Sequence, residues 1–531
     1  MKKLFLNGKF YTFNQIQPVT EAVVIENRRF IALGTTKEIL SNYKTTDAAI
    51  VDLQGKTVTP GLVDSHLHLS LLADKFINLD LTGTHSKQTM LEKIQAKANT
   101  LKPGEWLLGG GWDENLFTDG TIPTIEELDF AAPNNPLFLS RICEHASIVN
   151  SHALTRSNYH PSISVPEGGM IVKNPQTKRP TGLLLESASD LIKPFIPVKS
   201  YEVMKDSLRQ AIQFALRKGL TSVHTNDPLY MGGLKQTYSI YDELLNTEKL
   251  GLRANLLVNH EFLDDLHDAG MYAGYGNDTL QIGAVKIFAD GAFGRRTALL
   301  SEPYSDDPDN YGDAMMDQYA LYDIVKRARE LDMPIAVHTI GDKALENVLD
   351  VLDKFPAVNY RDRLIHTQVL RKELIERLAR PSRIADIQPR FLASDFPWVK
   401  ERLGEERIRL SYAWKSLLNA GVICAGGSDS PVEPVDPLHG IHAAVTRKTP
   451  GQIHNGYIPE EKLSMYEAFR IFTELAAYPT NEEQIKGTIA RGKLADMTVY
   501  SNNPFEMENP DELLDTEIEM TIIGGEIKYS K

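Results

Sequence analysis

His66 and His68 stand two residues apart in the run Val-Thr-Pro-Gly-Leu-Val-Asp-Ser-His-Leu-His (58–68). On a β-strand that spacing puts both imidazoles on one face, where two neutral ring nitrogens can hold one divalent cation. More polar residues end other short apolar runs: His224 in LTSVHT (220–225), Lys286 in GAVKIFA (283–289), His338 in MPIAVHT (333–339), His366 in RLIHTQ (363–368) and Asp429 in VICAGGSD (422–429). Buried parallel strands are otherwise near-continuous hydrophobic runs, so imidazoles, an amine and a carboxylate at equivalent strand ends mark one chemical face. One histidine at a strand end is more often a hydrogen-bonded core residue than a ligand; five at equivalent ends change that weighting. Asp429 sits in Gly-Ser-Asp-Ser-Pro, which is also the composition of a plain turn.

Bringing these groups together requires a particular arrangement of strands. GLVDSHLH (61–68), RANLLVN (253–259) and RIADIQP (383–389) join the five runs above to make eight strand candidates between about 59 and 480, separated by helical stretches. Alternating βα units of this kind predict an α/β fold, a (β/α)₈ TIM-type barrel whose chemistry lies at the C-terminal strand ends. Residues 70–200 do not fit one βα unit. They contain strand-like runs of their own, WLLGGGW (106–112) and PLFLSR (136–141), and read as an insertion after the first strand, near the barrel mouth, where it can cap a substrate pocket. Residues 1–58 carry KLFLNGKFYTF, EAVVIENRRFIALG and AAIVDLQGKTV, and the last forty or so residues carry DMTVYS and EIEMTIIGGEIKYS. Each set is too small alone, so residues 1–58 and 485–531 are expected to share one discontinuous β-sandwich domain, with the barrel spanning 59–484. Ser464-x-x-Glu467 reads as a capping box opening the helix YEAFRIFTELAA.

Composition narrows the classes. The 531 residues are 42% hydrophobic and 24% charged, which excludes collagen-like, low-complexity and disordered chains. A net charge of −14 with no long Lys/Arg run argues against nucleic acid and anionic membranes as partners. Cys143 and Cys424 have no disulfide-framework or zinc-finger spacing and read as core residues of a reducing compartment. The start MKKLFL breaks at once into Asn7, Gly8 and Lys9, so no signal-like apolar segment is expected and the location predicted is cytoplasmic.

The run 58–68 resembles the first barrel strand of the amidohydrolase superfamily. The segments GGGWDE (109–114), RICEHASIVNSHAL (141–154), PTGLLLE (180–186), KIFADGAFGRRTALL (286–300) and IARGKLADMTVYS (489–501) resemble its YtcJ-like subgroup, amidohydrolase family 3, across essentially the whole chain. The resemblance implies a metal centre of His66, His68, Lys286, His338, His366 and Asp429, holding one or two divalent ions. Zn²⁺ suits this donor set best, and Fe, Mn or Co would also fit it. It makes Asp429 the catalytic residue that takes a proton from the attacking water and returns it to the leaving group. Lys286 has two readings. An ammonium is three donors and no acceptor, so the lysine either becomes a carbamate that bridges two metals or stays an amine that binds a substrate carboxylate or pairs with Asp290.

The same resemblance places Trp112, Asp113, Arg141, His145 and Asn150 near the substrate, with His224, Asp290 and Arg295 as further substrate-side candidates. Asp342 and Gln368 are candidates to orient His338 and His366, Arg296 reads with Arg295 as an anion-attracting or paired arginine, and His439, His442 and His454 read as surface or packing residues. The activity implied is a metal-dependent hydrolase cleaving a C–N bond other than a peptide bond, such as an amide, an N-acyl or N-formyl amine or a cyclic amide, by metal-activated water. A deaminase is a weaker fit. Deaminases of the superfamily usually carry His-x-x-Glu after strand five and lack the strand-four lysine, whereas this chain has His338-Thr-Ile-Gly-Asp342 and Lys286. A lactone or ester hydrolase is compatible with the same residues. A non-catalytic scaffold is disfavoured, because every expected ligand is present. A homo-oligomer, at its simplest a dimer, is the expected assembly.

Overall fold

The computed structural model describes residues 2–118, 120–142 and 145–531, so the expectation for Cys143 lies outside the described residues. Eight strands form the barrel: β1 (Leu62–Leu67), β2 (Leu220–Thr225), β3 (Arg253–Asn259), β4 (Leu280–Phe288), β5 (Ile335–Thr339), β6 (Asp362–His366), β7 (Arg383–Ile387) and β8 (Ile423–Gly426). They pair in chain order, every neighbour parallel. All eight apolar runs seen in the sequence are these strands, and β1, β2, β3, β6 and β7 are buried along their whole length. This is the burial on both faces that makes such runs continuous rather than alternating.

The hydrogen-bonded order begins at β1 and ends at β8, and the loop after β8 closes the gap. Asp429 N donates to the His66 carbonyl at 2.7 Å and His68 N donates to the Ser430 carbonyl at 2.8 Å. The buried Asp64 carboxylate accepts from Ser428 N at 3.0 Å and Ser428 Oγ at 2.5 Å. A Cβ on Gly427 would lie 2.6 Å from the His66 backbone nitrogen, so only glycine lets the loop approach β1 this closely.

The chain ends form two further sheets, one of which takes strands from both ends. Thr57–Pro60 pairs in parallel with Lys9–Tyr11 and antiparallel with Met497–Tyr500, inside a six-stranded sheet that also holds Val19–Thr20, Ile518–Ile523 and Glu526–Ser530. A four-stranded sheet holds Lys3–Leu6, Ala22–Glu26, Arg29–Gly34 and Ala49–Asp52. Phe5, Phe10, Val23, Phe30, Val58, Met497 and Ile522 belong to one shared apolar cluster. The buried Arg253 of β3 binds Asp496 through Nε at 2.7 Å and Nη2 at 2.9 Å, and Gly524 N adds a third bond to that carboxylate at 2.8 Å. Arg253→Ala is therefore expected to cost about 3–5 kcal/mol, since it strands a buried carboxylate. Urea unfolding checks this, with Arg253→Met/Asp496→Leu expected near wild type.

The chain divides into two compact units, Met1–Leu71 with Leu208–Lys531, and Leu72–Ser207. The second unit contains a six-stranded mixed sheet in the order Met170–Lys173, Pro180–Leu185, Ala146–Val149, Leu137–Arg141, Leu107–Trp112, Leu79–Asp80. Two of its neighbouring strands are the runs read as strands within the insertion, 106–112 and 136–141, in parallel register.

Two local features depart from the sequence reading. Thr36–Tyr43 is a helix opened by a Thr35/Glu38 capping box inside the segment read as strands alone. The Ser464 capping box forms, but its helix ends at Ile471 and the chain continues as a 3₁₀ helix, Leu475–Thr480. The Phe472 carbonyl accepts from Val63 N of β1 at 2.8 Å instead of bonding within a helix. Among the described residues no helix is long and apolar enough to cross a membrane.

Candidate active site

The C-terminal ends of β1, β4, β5 and β6 and the loop after β8 converge. His66 Nε2 and His68 Nε2 lie 3.4 Å and 3.3 Å from Asp429 Oδ1. Among the described residues, ligand atoms of His66, His68 and Asp429 all fall within 4.8 Å of one another, and all three side chains are buried. Lys286 Nζ is 3.3 Å from His66 Nε2 and 4.7 Å from the centroid of the Phe288 ring. The His338 and His366 rings pack edge to face at 4.4 Å, and His366 lies 5.9 Å from His66. These two form a neighbouring pair outside the tight group. His366 and Asp429 both hold left-handed backbone, φ 76° and 57°. Such conformations cost non-glycine residues about 1–3 kcal/mol each and persist where the surroundings over-determine them, as at working sites.

The donor set fits a cation. His68 Nδ1 is 2.9 Å from the Asn226 carbonyl, which only accepts, so Nδ1 carries the proton and Nε2 presents a lone pair to Asp429. With the ring neutral, two acceptors stand 3.3 Å apart, a gap that a proton or a metal cation fills. Asp429 Oδ1 is buried without a hydrogen-bond partner, as a group that would ligate an ion should be. His338 likewise donates from Nε2 to the Gly291 carbonyl at 3.0 Å, which leaves Nδ1 as its free acceptor.

Burial keeps three of the four imidazoles unprotonated. Burial, then the Lys286 charge, hold His66 well below its usual range and His338 at about 4. Burial and His338 do the same to His366. In His68 burial is outweighed by the Asp429 carboxylate beside it, which raises its pKa. Burial would push Asp429 up, but the His68 bond and the charges of His366, His68 and Lys286 hold it down, so it is a carboxylate. Burial pushes Lys286 down to about 7. A substantial neutral-amine fraction is what carboxylation by CO₂ requires.

Asp290 accepts from Leu299 N at 3.0 Å, Ile340 N at 3.1 Å and Gly341 N at 2.8 Å. Burial pushes it to about 7 despite those donors. The reading in which Lys286 pairs with Asp290 is replaced by this geometry: Asp290 orders the backbone after β4 and β5, and Lys286 turns to His66. Asp342 does not orient His338; it binds Ser301 N at 3.0 Å and Arg371 Nε at 3.0 Å. Gln368 is buried, and its backbone carbonyl accepts from Tyr412 N at 2.8 Å. His224 is fully enclosed on β2, held well below its usual range by burial and by the charges of Arg363 and Lys486. Arg295 ends the turn Phe293–Arg295 on an exposed stretch, while Arg296 pairs with Asp306 at 2.7 Å. His442 is packed against Asp511 at 2.8 Å, His439 is half-buried and His454 is exposed; Cys424 is buried and free.

Within the Leu72–Ser207 unit, Trp112, Glu114, Arg141, His145, Met170 and Glu186 line a cavity of about 340 Å³. Arg141 binds Glu114 and Asp113, each at 2.8 Å, and His145 Nδ1 is 2.9 Å from Glu186. Trp112 is buried and donates from Nε1 to the Leu139 carbonyl at 3.1 Å. Asn150 caps the helix Ser151–Arg156, accepting from Ala153 N and donating to Asn135 O, a structural task.

Residues not foreseen also touch the centre. Asn226 fixes the His68 tautomer, Tyr230 packs edge-on to His68 at 5.8 Å, and Phe391 packs edge-on to His366 at 5.9 Å. Asn226 acts through its carbonyl, which no side-chain pattern reveals.

Residues 49–529 match the amidohydrolase family. The chain belongs to the amidohydrolase family. This amidohydrolase is 42% identical over 534 residues to the YtcJ amidohydrolase of Bacillus subtilis (strain 168), covering all of both chains. It is 25% identical over 553 residues to the N-substituted formamide deformylase of Arthrobacter pascens, covering 99% of this chain and 98% of that one. An uncharacterized metal-dependent hydrolase from Pyrococcus furiosus superposes with a TM-score of 0.79 at 30% identity, covering 95% of this chain and 100% of that structure. The amidohydrolase described here is a metal-dependent hydrolase, and its His-His-Asp group supports a divalent metal.

Proposed function

We propose that the enzyme hydrolyses a non-peptide C–N bond of a small molecule, an N-formyl or N-acyl amine or a cyclic amide, at a centre where His66, His68, His338, His366 and Asp429 would hold one or two divalent ions, zinc by the donor set, and where Lys286, if carboxylated, would be a further ligand. The observation that carries this reading is the cluster of His66, His68 and Asp429 ligand atoms within 4.8 Å of one another at the barrel's strand ends. A divalent cation held there supplies Lewis acidity, polarising a carbonyl and drawing the pKa of a water towards neutrality. The chain's own groups do the rest. Asp429, ionised and anchored by its backbone to His66, accepts the water's proton and hands it to the departing nitrogen. Asn226 and Gly291 hold His68 and His338 in single tautomers. Trp112 and His145, on the insertion cavity, and His224, Asp290 and Arg295 are the substrate-side candidates.

The Arthrobacter pascens relative is named for deformylating N-substituted formamides, which puts N-formyl amines first in a substrate panel. Turnover against N-formyl and N-acyl amines, cyclic amides, lactones and amino-heterocycles tests the reading. Release of amine plus carboxylate supports it, and release of ammonia from heterocycles overturns it. Removing two ligands should be equally clear: His66→Ala/His68→Ala is expected to fall from ~1–2 metal equivalents per chain to well under one and to lose activity, as elemental analysis and turnover will show. Alongside the function we propose that residues 1–58 and 485–531 act as one β-sandwich domain around a barrel of 59–484, supported by the strand pairing across the two ends, and that the enzyme works in the cytoplasm.

A further inference from the structure

Beside the candidate metal ligands sits a second buried polar cluster. Arg363 of β6, Asp386 of β7 and Ser65 of β1 are 1%, 0% and 0% exposed. Arg363 Nε donates to Asp386 Oδ2 at 3.0 Å, and Nη2 donates both to that oxygen and to the Ser65 carbonyl. Ser65 Oγ donates to Asp386 Oδ1 at 2.5 Å. One ion pair thereby joins three strands, including β1, which has no ladder to β8 among the described residues. Ser65 directly precedes His66, and Arg363 lies three residues before His366, whose backbone is left-handed.

A fully buried ion pair is a poor way to stabilise a fold. Desolvation consumes much of its attraction, and apolar pairs of similar volume often hold a core as well or better. What such a pair does supply is direction, because a guanidinium donates along fixed vectors in its plane. Those vectors run from β6 to β7 and across the barrel to the backbone of β1. We propose, resting on the metal-centre reading above, that Arg363, Asp386 and Ser65 form a cross-barrel clamp that sets His66 against His366. They are positioning residues of the metal centre.

The test uses full-length apo-protein and Co(II) alone as probe, in wild type, Ser65→Ala and Arg363→Met/Asp386→Leu. Arg363→Met/Asp386→Leu is expected to stay near the wild-type melting temperature, and Ser65→Ala, which leaves Asp386 Oδ1 without that donor, to fold but melt somewhat lower. Both should bind Co(II) about 10–100-fold more weakly, the range seen when groups supporting metal ligands are lost, and show shifted visible d–d absorption. Native affinity and spectrum in both variants overturn the clamp alone. If the double variant fails to fold, Ser65→Ala decides: an altered spectrum supports the clamp, and a native one reduces the cluster to a structural role. A wild type that takes up no Co(II) overturns the metal-centre reading and the clamp with it.

Discussion

Asp429→Asn is expected to lower turnover by ~10²–10⁴-fold, the loss associated with removing a general acid–base group. The fold and most of the bound metal should survive. Asparagine is nearly isosteric, and the backbone bond from residue 429 to the His66 carbonyl, 2.7 Å, does not depend on the side chain. An amide oxygen still faces His66 and His68, but it neither accepts a full proton nor returns one. His68 and the neighbouring charges hold Asp429 below its ordinary range, so at neutral pH the wild-type residue is poised as an acceptor. The acidic limb of the wild-type pH–rate profile, where that acceptor becomes protonated, should disappear in the variant. Unchanged turnover would remove Asp429 from the mechanism; loss of turnover together with metal would recast it as a ligand alone.

The barrel was legible because its strands are buried on both faces, which forces runs such as RANLLVN and leaves His66, Lys286, His338 and His366 conspicuous at their ends. The convergence of His66 and His68 follows from their spacing on one strand, whereas Asp429, in a sequence that also reads as a plain turn, is placed with them by the family resemblance. What escaped the sequence was carried by backbone atoms and by long-range partners. The Asn226 carbonyl sets a tautomer, Gly427 admits a loop, and the Phe472 carbonyl stops a helix by bonding Val63, more than four hundred residues away in the chain. Asn150 belongs to the same class. Its side chain is spent on capping a helix and on the neighbouring backbone, a role fixed by which amides surround it and not by the motif that contains it.

Lys286→Ala separates one bound metal from two. If a carbamate on Lys286 joins the His66/His68 group to the His338/His366 pair, the variant should lose about half of its metal or more, and short carboxylates such as formate or acetate should restore part of the activity by filling the vacated bridge. If the lysine binds substrate instead, metal content should hold and only the kinetic constants should move. The placement of Lys286 is what motivates the bridge. Lys286 Nζ lies 3.3 Å from His66 Nε2, a ring nitrogen offered to the metal, and an unmodified ammonium there would face a cation at short range. Burial that pulls Lys286 to about 7 weakens the ammonium and exposes the amine to CO₂. Carboxylation would convert the repelling charge into two oxygen donors, at a position on β4 from which a four-carbon stem reaches His66. Three atoms of density beyond Nζ in an experimental map of the metal-loaded enzyme would establish the carbamate, and a lysine turned away from His66 would exclude it.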